Sequence, residues 1–274
     1  MFPMVFKKTY LLGILLSLLI VSVYAQPNPY GLLRVHNYHF SEKGGCEQNW
    51  SIVQDFRGVI YVGNQNNGIL EYDGSSWRTI PVPGNAAVRS MVSGKDGWIY
   101  VGLEGDFGRL EPDPSGDMHY RSLVDSTLFS IGPEVRFWKT YYQQDKVYFC
   151  SREGIYIFDP LAEESSLIET PDNSFFSFFV RQDLFLGNYE NGLMRYEGKE
   201  FVLFPGGGFF KEKNISGLVA FDDSHHLVST FDQGLFLLNI ENGNIDSTFL
   251  SPALKETLAS AVVINLQVQD NRIF

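Results

Sequence analysis

Five histidines, His36, His39, His119, His225 and His226, are the first residues here with chemistry to offer. His36 and His39 have a metal-like spacing, but in a strand residues three apart face opposite sides. His225 and His226 sit in "DDSHH" beside Asp222 and Asp223, where a solvated turn is the simpler account. A zinc site needs three or four converging ligands, and neither pair brings them. Glu163-Glu164 and Asp222-Asp223 are adjacent carboxylates in loops, with nothing to make them converge as acid and base. No G-x-S-x-G, P-loop or G-x-G-x-x-G occurs. "PGGGFF" (205–210) lacks a following G-K-[ST] and reads as a long connection. The sequence predicts no catalytic residue, no metal and no cofactor in this chain.

Binding suits the side chains better. "NQNN" (64–67), "LEGDF" (103–107), "SRE" (151–153), "NYEN" (188–191) and "TFDQ" (230–233) are rich in amides and carboxylates, with Phe107, Tyr189 and Phe231 among them. Such groups beside an aromatic platform fit a hydroxyl-rich ligand. Asn and Asp also favour turns for backbone reasons alone. The candidate ligand-binding residues are Trp50, Asn64, Asn66, Arg89, Asp106, Trp138, Arg152, Asn188, Tyr189 and Asp232. Trp50 and Trp138 serve equally well as packing residues. Trp77 reads as core.

The elements that must position these residues repeat. A strand, a turn, a Gly and a second strand recur five times. The Gly falls at Gly68, Gly108, Gly154, Gly192 and Gly234, with spacings of 40, 46, 38 and 42 residues. A matching position in the preceding strand falls at Tyr61, Tyr100, Tyr148, Phe185 and Val228. A strand precedes each copy ("SIVQD", "RSMVS", "RFWKTYY", "SFFSFFV", "SGLVAF"). Another follows ("WRTI", "HYRSL", "SLIET", "FVLF", "STFL"). A period of about 40–45 residues with four short strands is a propeller signature. Strands such as "SFFSFFV" are apolar at consecutive positions, as strands covered on both faces are. The predicted fold is all-β: a β-propeller of four-stranded antiparallel blades. About five and a half blades are present and the ring is incomplete, because Phe274 stands where a sixth copy places its second-strand aromatic. "LLRVHNYHF" (32–40) reads as a strand of the last blade.

Composition narrows the class. The chain has 274 residues, 44% of them hydrophobic and 15% aromatic, and a net charge of −11. That is a globular chain and a poor partner for a phosphate backbone. Lys7-Lys8, the apolar run 10–25 and Val23-Tyr24-Ala25 form a signal-peptide pattern. The expected organisation is residues 1–25 signal peptide and 26–274 propeller, truncated within blade six. Two cysteines, Cys46 and Cys150, make no disulfide framework, and Cys150 reads as a buried thiol.

"NYHF" (37–40), "QNWSIVQDFRGVIYVGNQNNGILEYDGSSW" (48–77) and the echo "GWIYVG" in the second copy resemble the two-component regulator propeller family. Copies three and four depart from it, since the D-x-x-G turn shrinks to "QDK" and "RQD". The resemblance implies the periplasmic sensor of a membrane-spanning regulator. A triple-tyrosine sandwich, a membrane span and a kinase or DNA-binding output would lie beyond residue 274. The implied partner is a small molecule or glycan, such as an oligosaccharide, or a partner protein, with self-association left to the full-length receptor. Nucleic acid is not contacted from this segment, and membrane is met only through the missing span. The competing account is a secreted propeller enzyme, a lyase or glycoside hydrolase, or a scaffold or adhesion propeller.

Overall fold

The computed structural model describes residues 37–38, 46–259, 261–269 and 272–273. All the described sheets belong to one compact unit, Phe40–Phe274. His36, His39, the expected signal peptide and Phe274 lie outside the described residues.

Among the described residues twenty strands form five four-stranded antiparallel sheets, each ordered as the chain runs. Blade one is β1 (Asn49–Gln54), β2 (Ile60–Asn64), β3 (Ile69–Tyr72) and β4 (Trp77–Ile80). Blade two is β5 (Val88–Ser93), β6 (Ile99–Leu103), β7 (Phe107–Pro112) and β8 (Met118–Ser122). Blade three is β9 (Lys139–Gln143), β10 (Lys146–Cys150), β11 (Gly154–Asp159) and β12 (Glu164–Glu169). Blade four is β13 (Ser174–Val180), β14 (Asp183–Asn188), β15 (Gly192–Tyr196) and β16 (Phe201–Leu203). Blade five is β17 (Ile215–Ala220), β18 (His225–Thr230), β19 (Gly234–Asn239) and β20 (Ile245–Asp246). Helix α1 (Pro252–Ala259) and a hairpin, β21 (Val268–Gln269) with β22 (Arg272–Ile273), follow.

The first strands are the inner ones: β1 lies against β5, β5 against β9, and β13 against both β9 and β17. The core is accordingly a set of layers between neighbouring sheets. Tyr61, Ile69, Val88 and Val101 fill one between blades one and two. Tyr100, Phe107, Phe137 and Phe149 fill the next, where Phe107 stacks on Phe149 at 4.5 Å. Each large side chain buried this way contributes about 1.5–3 kcal/mol. This two-sided cover explains the consecutive apolar residues of the inner strands.

The close approach of inner strands depends on three glycines. A Cβ at Gly63 would stand 2.7 Å from Val88 Cγ1, and one at Gly102 would stand 2.7 Å from Phe137 Cβ. At Gly187 the nearest atom would be Ile215 Cβ, at 3.2 Å. In each case the second strand of one blade leaves room for the chain entering the next.

Turns account for the family-like motif. Asp55 Oδ1 accepts from the Arg57 and Val59 amides, at 2.8 and 3.1 Å. Its other oxygen accepts from Tyr61 Oη at 3.4 Å. In blade two Asp96 takes over, accepting from Tyr100 Oη at 2.7 Å. Blade three uses a two-residue turn with Gln144 and Asp145 both at positive φ, as a tight hairpin requires.

Three expected elements are placed differently. Blade three's first strand begins at Lys139 rather than Arg136, because Phe137 N is tied to Leu103 O of blade two. Blade five's outer strand is Ile245–Asp246 rather than "STFL", because Asp246 Oδ1 takes the Thr248 amide at 2.6 Å and starts a turn. His225-His226 is no solvated turn: both open β18, and His226 is buried beside Phe185 and Phe204. Burial lowers its pKa from the ordinary value.

Candidate ligand-binding face

Four of the five inner strands carry an irregularity at their start. In blade one the pairing runs Asn49 with Asn64, then Ser51 with Gly63, so Trp50 is the extra residue. The same slip sets out Arg89 in blade two and Ser216 in blade five. In blade four two residues, Phe175 and Phe176, stand opposite Gly187 between the flanking pairs. A bulge turns a side chain away from the regular pleat and re-aims it. Four blades use that device at one level of the inner strand, beside the turns joining second and third strands. In blade three Trp138 reaches the same level from the residue preceding β9.

Ser216 is buried against Ser229, whereas Trp50, Arg89, Trp138, Phe175 and Phe176 form one contiguous cluster. The Arg89 guanidinium sits 4.1 Å from the Trp50 ring and 4.8 Å from the Trp138 ring. The two indoles meet edge to face at 5.9 Å. Trp138 continues to Phe176 at 6.1 Å, and Phe176 to Phe175 at 4.6 Å. Phe231, from the blade five turn, closes on Phe175 at 5.4 Å. Arg152 covers Phe175 at 4.2 Å, and Lys139 Nζ lies 5.8 Å from the Phe176 ring. Gln65 Oε1 accepts from Trp50 Nε1 at 2.6 Å. Lys139 Nζ donates to Asn265 Oδ1 at 3.1 Å.

The electrostatics centre on Glu104. It pairs with Arg89 through both Nε and Nη2, and with Arg136 Nε at 3.0 Å. Burial pushes its carboxyl up, but the two guanidiniums outweigh this and hold it below the ordinary value. The Arg89 side chain is only 7% exposed, and its Nη1 has no hydrogen-bond partner among the described residues. Burial lowers the pKa of Lys139. The same holds for Arg152, with Arg136 adding to the effect despite the opposing Glu153.

Of the ten predicted residues, Trp50, Arg89, Trp138 and Arg152 are brought together here. Asn64 and Asn188 are not on the open face. Asn64 Nδ2 donates to Cys46 O at 2.6 Å and to Asn49 Oδ1 at 2.8 Å. Asn188 Nδ2 donates to Asp172 O at 2.8 Å, while its Oδ1 accepts from the Glu190 and Asn191 amides. Both are buried and tie a turn to the entry of the inner strand. Asp106 accepts from Ser122 Oγ at 2.7 Å and so turns toward the outer strand, its pKa raised by burial. Asn66 and Asp232 are exposed on their turns; Asp232 borders a cleft of about 450 Å³ against α1. Tyr189 is exposed, its backbone paired to Asn173 and Glu212.

Sequence reasoning missed Gln65, Glu104, Arg136, Lys139, Phe175, Phe176 and Asn265. One signal was available: Trp50, Arg89, Trp138 and Phe175 all stand ten or eleven residues before the second-strand aromatic of their blade. No group of three or more metal-binding side chains occurs among the described residues. No described helix is long and apolar enough to cross a membrane.

No family model matches the chain, and no curated protein matches its sequence. Solved structures share its fold. BamB from Moraxella catarrhalis superposes with a TM-score of 0.57 at 14% identity, covering 81% of this chain and 67% of that one. The extracellular domain of a protein described as a hybrid two-component system from B. thetaiotaomicron gives 0.56 at 13%. That match covers 81% of this chain but 30% of the other. Virginiamycin B lyase from Staphylococcus aureus gives 0.54 at 13%, covering 74% and 71%. The fold they define is a β-propeller of four-stranded antiparallel blades, and this chain has it.

Proposed function

We propose that this chain is the ligand-sensing propeller of an exported, membrane-spanning regulator of the two-component regulator propeller kind. The observation that carries this reading is the aromatic and cationic cluster assembled from the inner edges of blades one to four and the blade five turn. A face built from five repeats can register a ligand by small shifts between blades, and a ligand that favours one arrangement produces a signal. The signal-peptide pattern at 10–25 and an extracellular sensor domain among the solved structures of like fold support it. The lyase neighbours share the fold, and fold alone assigns no chemistry. In this chain Glu163 pairs with Arg109, Asp222 with His225 and Asp223 with Arg181, so the adjacent carboxylates do not converge.

The test is ligand-induced stabilisation measured over a panel of oligosaccharides. Trp138→Ala and Trp50→Ala should each weaken the response while the chain still melts cooperatively. Undiminished response in both variants would remove this face from consideration, and turnover of a bound compound would favour the enzyme account.

A further inference from the structure

The protein is acidic overall, at −11, yet its candidate face is not. Four cations gather there: Arg89, Arg136, Lys139 and Arg152. The carboxylates acting on them are Glu104, shared by Arg89 and Arg136, and Glu153, next in sequence to Arg152. Elsewhere the described arginines are matched. Arg57, Arg78, Arg109, Arg121, Arg181 and Arg195 each have a carboxylate within ion-pair distance. Among the described side chains Arg152 is the arginine without one. Lys139 is half-buried, and its ammonium meets the Asn265 amide oxygen and the Phe176 ring rather than a carboxylate. Cys150 pairs across the sheet with Lys139, and Arg152 follows it by two residues. Lys139 and Arg152, neither in an ion pair, therefore flank one patch, with Phe175 and Phe176 between them. Holding the half-buried Lys139 without a counterion is unfavourable, and an incoming anion relieves that cost while the exposed Arg152 adds a second charge-assisted hydrogen bond.

We propose that the ligand of this face is an acidic saccharide, with its carboxylate or sulfate at Lys139 and Arg152 and a sugar ring against Trp138 and Phe176. This rests on the sensor reading and adds the class of ligand. The aromatic wall supplies ring contact and the cations supply the selection, because a neutral sugar leaves both unmatched.

Calorimetric titration of the full chain with three probes tests it: trigalacturonic acid, a sulfated galactose trisaccharide and neutral galactotriose. At least one acidic probe should bind tenfold or more tightly than galactotriose, and which one binds separates carboxylate from sulfate. Lys139→Met and Arg152→Met should each weaken the acidic probe roughly tenfold or more, with thermal melting confirming that each variant is folded. Galactotriose binding equally well, with the dependence on Trp138 intact, overturns the acidic class and leaves the sensor reading in place. Unchanged affinity in both Met variants, or no binding of any probe to cooperatively melting protein, also overturns the proposal. Cleavage of a bound acidic probe keeps the charge preference and sinks the sensor reading.

Discussion

Arg89 is the residue on which the candidate face turns. Two indoles cover its guanidinium and Glu104 neutralises it; a desolvated cation–π contact is worth about 2 kcal/mol. Removing the carboxylate leaves a buried cation without its partner. Glu104→Gln should lower the unfolding free energy by about 1.5–3 kcal/mol, toward the lower end because Glu104 is partly exposed. The pH dependence follows from the direction of its shift. A carboxyl held below its ordinary 4.5 stabilises the fold fully above that value and loses the contribution as pH falls through the folded value. Urea titrations should show a gap between wild type and variant at pH 7 that narrows below about pH 4; a gap independent of pH would contradict the role given to Glu104. Sequence identified Arg89 but not its partner, because the Asn- and Asp-rich turns drew attention to amides that proved to be internal ties. Whether a turn amide faces solvent or a neighbouring carbonyl depends on the chain entering the next inner strand, which the turn's own residues do not encode.

At the scale of the strand, bulge and glycine work together. The bulge lifts Trp50, Arg89 or Phe175 out of the pleat, and the glycine opposite lets the next blade approach. Gly102→Ala should therefore cost about 1–3 kcal/mol through overpacking against Phe137, visible as a lower denaturation midpoint. An unchanged midpoint would mean that blades two and three tolerate being pushed apart. The strands themselves were legible, and β4 and β13 match their expected bounds residue for residue. The bulges were not, since an extra residue in one strand shows only against its partner's register. Nor was α1, whose Ser251 hydroxyl and carbonyl accept from the Leu254 and Lys255 amides; the repeat pattern directed attention to strands alone.

For the whole molecule, the repeat spacing was sufficient to give the architecture, because every blade must bury the same two faces. The periodicity could not say which surface binds, since every blade presents similar turns. Export belongs to this scale as well. Expressed in a bacterium with its leader, the chain should be recovered outside the cytoplasm with Gln26 as its first residue, as intact-mass measurement would read. Full-length protein retained in the cytoplasm would contradict the sensor assignment. Cys150 is free and buried, its thiol pushed up to about 12 by its surroundings, so passage into an oxidising compartment leaves it chemically quiet.

The pairing of Trp50 with Trp138 around a guanidinium also gives the molecule an optical readout. Four tryptophans are present. Trp77 lies stacked on Tyr72 and Trp98 beside Arg109, so both belong to the blades rather than to the shared face. Trp50 and Trp138 belong to different blades, and their mutual distance and polarity change whenever blades one and three shift. On the sensor reading, intrinsic emission carries a steady background from one pair and a variable component from the other, so a ligand seated on the candidate face would be followed without a dye, a tag or knowledge of its identity.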